Sequence, residues 1–100
     1  MVRAPKHRPP THPGEVLREE FLGPMGLSQA EAARALGVPY QRLNEVVREA
    51  RAVTPATALR LAKYFGTTAA FWMNLQLAVD LYEAERAEAE ALAAIEPVAA

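Results

Sequence analysis

The sequence predicts an all-α fold, a five-helix domain around a single core, and three observations carry that expectation. Ala, Leu, Glu and Arg are abundant in a chain whose residues are 51% hydrophobic, and runs of β-branched residues are few, which favours helix over sheet. Apolar residues recur at three- and four-residue intervals instead of alternating. Gly and Pro stand between the periodic segments, at Gly23, Pro24, Gly26, Gly37, Pro39, Pro55 and Gly66. A length of 100 residues suits one small domain and leaves no room for a second.

Residues 1–11 place Pro5, Pro9 and Pro10 among Arg3, Lys6 and Arg8 and cannot bury enough surface to order themselves. They read as a flexible arm. The folded domain is expected over 12–85, with an Ala/Glu-rich helical tail over 86–100. His12-Pro13-Gly14-Glu15 leads into a first helix whose Val16, Leu17, Phe21 and Leu22 face the core, while Glu15, Arg18 and Glu19 face water. Gly23, Pro24 and Gly26 read as its end.

The second and third helices share the stretch 28–50. Ser28 can accept a backbone N–H while Glu31, three residues on, reaches back to the Ser28 amide, so a capping box starts the second helix. Ala32, Ala33 and Leu36 give that helix an apolar face, and Gly37 supplies the residue past its end that can adopt φ > 0. Val38 can fill the corner, and Pro39 opens the third helix at or near its first position. Leu43, Val46, Val47 and Ala50 fall at i, i+3, i+4 and i+7, an apolar stripe opposite Tyr40, Gln41, Arg42, Asn44, Glu45 and Arg48. Two short helices joined by three residues make a helix-turn-helix. Its outward side has the chemistry of a major-groove reader: Gln and Asn pair with adenine, Arg with guanine, and Glu accepts from the cytosine amino group. A polar outer face is also the norm for any surface helix. The cap, the turn glycine, the proline start and the Gln/Arg/Asn set at the required spacing together favour DNA.

Arg51-Ala52-Val53 reads as a short loop beyond the reading helix, which makes Arg48 and Arg51 candidates for phosphate contact. Thr54 followed by Pro55 starts a fourth helix with Ala58, Leu59, Leu61, Ala62 and Phe65 on its apolar side, closed by Gly66. Arg60 and Lys63 fall on its solvated face. Thr67 or Thr68 can cap a long last helix. Stepping 100° per residue from Phe71 separates Phe71, Trp72, Leu75, Ala78, Val79 and Tyr82 from Met73, Leu77, Leu81 and Ala84 on the opposite side. The first set closes the core. Met73, Leu77, Leu81 and Ala84 are the candidate surface for a second copy of the chain, since so small a domain does not easily cover both sides of its last helix.

Other classes of function find little support. There is no cysteine, hence no disulfide and no thiolate metal site, which fits a reducing interior. His7 and His12 are the only histidines, and no carboxylate pair is set opposite them, so neither a metal site nor a catalytic residue is assigned. Ser28 is a cap with no base beside it, and the glycines are isolated, so no nucleophile, phosphate loop or cofactor site is expected and the chain does not read as an enzyme. No apolar run is long enough for a membrane span and the start lacks a signal-peptide pattern; a cytoplasmic protein with no membrane partner is expected. The net charge is −1, but it is unevenly spread. Arg34, Arg42, Arg48, Arg51, Arg60 and Lys63 outnumber Glu31, Glu45 and Glu49 between residues 28 and 63, while Asp80 to Glu96 is acidic.

Beyond the general motif, residues 12–85 resemble the HigA family of antitoxins, within the larger Xre/lambda-repressor-like group. The most specific pieces are HPGE at 12–15, GLSQ at 26–29, TPATALRLAKYFGT at 54–67 and FWMNLQLAVDL at 71–81. The resemblance implies a five-helix lambda-repressor-like DNA-binding domain with an extended C-terminal helix, a homodimer, and binding to the operator DNA of its own operon. It also implies neutralisation of a HigB-type toxin, a RelE-like messenger-RNA endoribonuclease, and an association with the nucleoid when bound to the operator. By position, Ser28 and Gln29 would meet phosphate with Arg48 and Arg51, while Tyr40, Gln41, Arg42, Asn44 and Glu45 would approach bases. One departure is that Arg48-Glu49-Ala50-Arg51-Ala52 lacks the glycine many members have after the reading helix. Two alternatives stay open from the residues: a toxin-binding protein whose DNA face is vestigial, and a repressor with no toxin.

Overall fold

A computed structural model of the chain describes residues 9–99. Residues 1–8, most of the expected arm, lie outside the described part. Six helices follow one another: α1 in three unbroken pieces (Pro13–Val16, Leu17–Leu22, Gly23–Met25), α2 (Gln29–Leu36), α3 (Tyr40–Val47), α4 (Pro55–Phe65), α5 (Ala69–Ala87) and α6 (Ala89–Ala94). No strand occurs among the described residues. The all-α expectation holds, with six helices for the five expected because the last one breaks at Glu88, where φ is −103° and ψ 12°. No Gly or Pro explains the break. Beyond Tyr82 every described side chain is exposed, so no buried side chain braces the helix across the break.

The end of α1 differs from the sequence reading. Gly23 and Pro24 lie inside the helix, and the chain turns only at Gly26, with φ 64°. The reason lies upstream, where Leu17–Leu22 adopts π geometry and the Gly23 N–H reaches the Arg18 carbonyl, five residues back. Pro24 has no N–H to place, and its ring presses on the carbonyl of a tight α turn; the wider turn before it relieves that contact.

The core is formed where α1 to α5 converge, with Leu17, Ala32, Leu43, Val46, Ala58, Leu61 and Trp72 essentially removed from water. Helix α4 packs along α5, α2 against α3 and α4, and α1 against α3 and α5. Phe21 stacks at a tilt on Phe65 and Trp72, with ring centroids 4.9 and 5.3 Å apart, a geometry aromatic pairs prefer. Both threonines before α5 are used. Thr68 Oγ1 accepts the Phe71 N–H at 3.0 Å as the cap, and Thr67 Oγ1 accepts the buried Trp72 indole N–H at 2.8 Å.

The two stripes of α5 separate largely as the 100° projection expects. Trp72 and Val79 are buried and Leu75 and Tyr82 half-buried, while Leu77 and Leu81 are each 54% exposed and Ala84 is exposed. Four positions depart. Met73 packs against the core instead of facing out with Leu77; Phe71 and Ala78 are exposed; and Gln76, expected at a border, is buried. The α5 axis is rotated slightly, so that the buried arc centres on Trp72, Gln76 and Val79.

Candidate nucleic-acid interface

Helices α2 and α3 meet across Gly37, Val38 and Pro39 with the geometry the residues demand. Ser28 Oγ accepts the Glu31 N–H at 3.1 Å while Glu31 Oε1 accepts the Ser28 N–H at 2.9 Å, the reciprocal capping box. The Ser28 N–H, followed by its hydroxyl and by Arg34, holds the Glu31 carboxyl below the usual carboxylate range. Gly37 takes φ 70°, and Val38 turns inward to pack on the core. Pro39 is the residue just before α3, with φ −60° and ψ 141°, and not its first helical residue.

Helix α3 buries Leu43, Val46 and Val47 and turns its other side to solvent, with Tyr40 53% exposed and Gln41 and Arg42 also exposed. It ends at Val47, one turn short of the expected Ala50, which is exposed. The Ala50 N–H bonds to the Glu45 carbonyl at 2.8 Å and the Glu49 N–H to the Val46 carbonyl at 2.9 Å. That pairing is the Schellman ending, in which a residue with positive φ turns the chain. Gly37 plays this part at the end of α2. At the end of α3 it falls to Glu49, with φ 64°. The missing glycine therefore changes which residue bears the strain, not the form of the turn.

Three groups on other elements lock this unit in place, and none of them is signalled by a local pattern. Arg18, expected to face water, donates Nη1–H to the Val47 carbonyl at 2.7 Å and approaches Glu49 at 3.6 Å, placing its positive charge at the C-terminal end of α3. Arg60, expected on a solvated face, donates to the Leu36 carbonyl at 2.7 Å and so caps α2. Gln76, only 4% exposed, accepts the Val53 N–H at 2.8 Å and donates to Asp80 at 2.9 Å, pinning the loop after α3 to α5. All three are polar side chains reaching backbone far away in sequence, which periodicity does not register. At the same C-terminal end of α3, Gly14 lets α1 approach so closely that a Cβ there would collide with the Val46 carbonyl oxygen. The preceding residues explain HPGE: His12 Nδ1 accepts the Gly14 N–H at 2.9 Å and Pro13 fills the first turn.

The residues expected at DNA fall into two groups. Tyr40, Gln41 and Arg42 stand on the open edge, and Tyr40 and Arg42 make no hydrogen bond or ion pair among the described residues. Asn44 and Glu45 are half-buried and already engaged. Asn44 Nδ2 donates to Gln29 Oε1 at 2.9 Å, and its Oδ1 accepts from Arg48 Nε at 2.8 Å. Glu45 pairs with Arg51 at 2.7 Å, and this pairing, with Gln41 and Arg48 nearby, keeps its carboxyl below the usual range. The expected phosphate contacts Gln29, Arg48 and Arg51 are thus linked to the middle of α3, while the Ser28 hydroxyl is engaged in its cap.

The helix-turn-helix family profile matches residues 17–72. The chain is 34% identical over 97 residues to antitoxin HigA-1 of Vibrio cholerae, covering 97% of this chain and 90% of that one. The chain belongs to the HigA family. It is also 56% identical over 78 residues to virulence-associated protein I of Dichelobacter nodosus, which covers 78% of this chain and 72% of the relative. A solved structure of Pseudomonas aeruginosa antitoxin HigA with the higBA promoter superposes with a TM-score of 0.86 at 45% identity, covering 90% of this chain and 99% of the other. Among the described residues of this HigA-family chain no cluster of His, Asp or Glu suits a metal ion, and no helix is long and apolar enough to cross a membrane.

Proposed function

We propose that this chain is the antitoxin of a type II toxin–antitoxin module and represses its own operon as a homodimer, without enzymatic activity. The observation that carries the reading is the open edge of α3: Tyr40, Gln41 and Arg42 exposed above a fully buried apolar stripe, on a helix clamped at its C-terminal end by Arg18 and Gly14. Gln41 can address adenine and Arg42 guanine in the major groove, while Gln29, Arg48 and Arg51 lie where sugar-phosphate backbone would pass. Leu77, Leu81 and Ala84 form the surface offered to a second copy, and two α3 helices then enter grooves about 34 Å apart on a palindromic operator. The HigA homologue solved with promoter DNA supports the operator as target, and family membership supports a HigB-type, RelE-like messenger-RNA endoribonuclease as the neutralised partner in the cytoplasm.

The test is binding to the DNA upstream of the chain's own gene, by gel shift. Replacing Gln41 and Arg42 together by Ala removes two base contacts, each worth roughly 1–3 kcal/mol of discrimination, and is expected to abolish preference for that DNA with the fold intact. Undiminished preference refutes the assignment. A second reading, toxin capture with a silenced DNA face, is favoured by one observation: Glu45 pairs with Arg51 beside the reading edge. It requires binding to DNA that is weak and nearly independent of salt, whereas phosphate contact gives a log–log slope of about −0.9 for each neutralised phosphate.

A further inference from the structure

The hydrogen bonds around Asn44 form a chain whose direction follows from its last member. Arg48 can only donate, so Asn44 must turn its carbonyl oxygen toward Arg48 Nε, as it does at 2.8 Å. Its NH2 group is then directed at Gln29, which must answer with its own carbonyl oxygen, at 2.9 Å. The consequence reaches both outer ends. Gln29 has its acceptor turned inward and its NH2 donors outward at the start of α2; Arg48 has Nε turned inward and its two Nη groups outward past the end of α3. Donors without acceptors are what an anion requires, and the partial positive charge at the start of α2 adds to them. Asn44, half-buried between the two, has both halves of its amide engaged.

We infer that Asn44 reads no base: it is a positioning residue that aims Gln29 and Arg48 at the phosphate backbone of the duplex. The inference rests on the DNA-binding reading above and deepens it, dividing the outward side of α3 into base readers at Tyr40, Gln41 and Arg42 and an internal brace at Asn44. A base-reading asparagine uses the same two amide groups on one adenine edge, which would break both bonds and release Gln29 and Arg48 together.

The experiment compares wild type, Asn44→Ala, Gln29→Ala/Arg48→Ala and the triple variant on the operator, on a panel of single-base operator substitutions and on unrelated duplex, across a salt series. Asn44→Ala is expected to weaken operator and unrelated duplex alike, by about tenfold. It should leave the order of preference within the panel unchanged and make the salt slope shallower by up to about 0.9, one phosphate's contribution. In the Gln29→Ala/Arg48→Ala background the further loss is expected to shrink to less than twofold, because residues acting through one another are not additive. Relaxed preference confined to one base position, an unchanged salt slope, or a full tenfold loss in the double background overturns the inference. A melting temperature lowered by more than a few degrees in Asn44→Ala shifts the decision to Asn44→Asp, which keeps the acceptor for Arg48 and loses the donor to Gln29; retention of the panel preference supports positioning, and its loss at one base overturns it. Wild-type protein that distinguishes no duplex overturns the parent reading instead, so the two failures are separable.

Discussion

Glu49 bears a conformation that an L side chain with a Cβ adopts at a cost of about 1–2 kcal/mol. The compensation visible in the structure is its 3.6 Å approach to Arg18, with both side chains about 40% exposed, and such pairs contribute well under 1 kcal/mol. Strain therefore exceeds the ion pair. Replacing Glu49 by Gly is expected to raise unfolding stability by about 1 kcal/mol, moving the thermal midpoint of a domain this size up by about 4–8 °C. Urea denaturation checks it; a loss of stability would mean that the Arg18 contact dominates. Removing a negative charge just past the reading helix also bears on DNA, so the same variant is expected to bind unrelated duplex somewhat more tightly at low salt.

At the scale of elements, α2 depends on a carboxylate at its start. The folded state lowers the pKa of Glu31, so the contribution of its cap is complete above the unfolded value, about 4.3 for a glutamate, and is lost as pH falls through the lower folded value. Glu45 has the same sign through Arg51. The thermal midpoint is expected to fall as the solution is acidified below about pH 4.3, and Glu31→Gln should flatten that fall while lowering the midpoint at neutral pH; an identical acid profile in the variant would remove Glu31 from the cause. The cap, the Gly37 turn and the start of α4 at Thr54 were legible because each is a local rule, satisfied within four residues. The π turns of α1 were not, since they answer to Pro24 in a helix whose face Leu17 and Leu22 bury, and nothing in a local window announces them. Nor was the end of α3, because Glu49 occupies a place where the pattern leads one to look for glycine. In the site, exposure of Tyr40, Gln41 and Arg42 followed from the stripe opposite them, whereas the Asn44 bridge, Arg18 and Arg60 depend on distances between elements that a one-dimensional reading does not contain.

For the whole molecule, the proposed dimer draws on the exposed apolar surface of α5. Leu77 and Leu81, one turn apart on the same side, are each 54% exposed on a helix that otherwise closes the core. Substituting both by Glu is expected to yield a folded monomer by light scattering. Operator affinity should fall by at least tenfold because two half-sites are no longer engaged together. A dimer that persists with both charges in place would transfer the interface to another surface.

The contact between Gly14 and the Val46 carbonyl also limits how such a molecule can diversify. Where two backbones touch, no side chain remains to be trimmed or enlarged, so the tilt of the probe relative to the body is not a variable that substitution can adjust by degrees. On the proposed reading, new targets are reached by exchanging the letters along the free edge while the handle stays rigid.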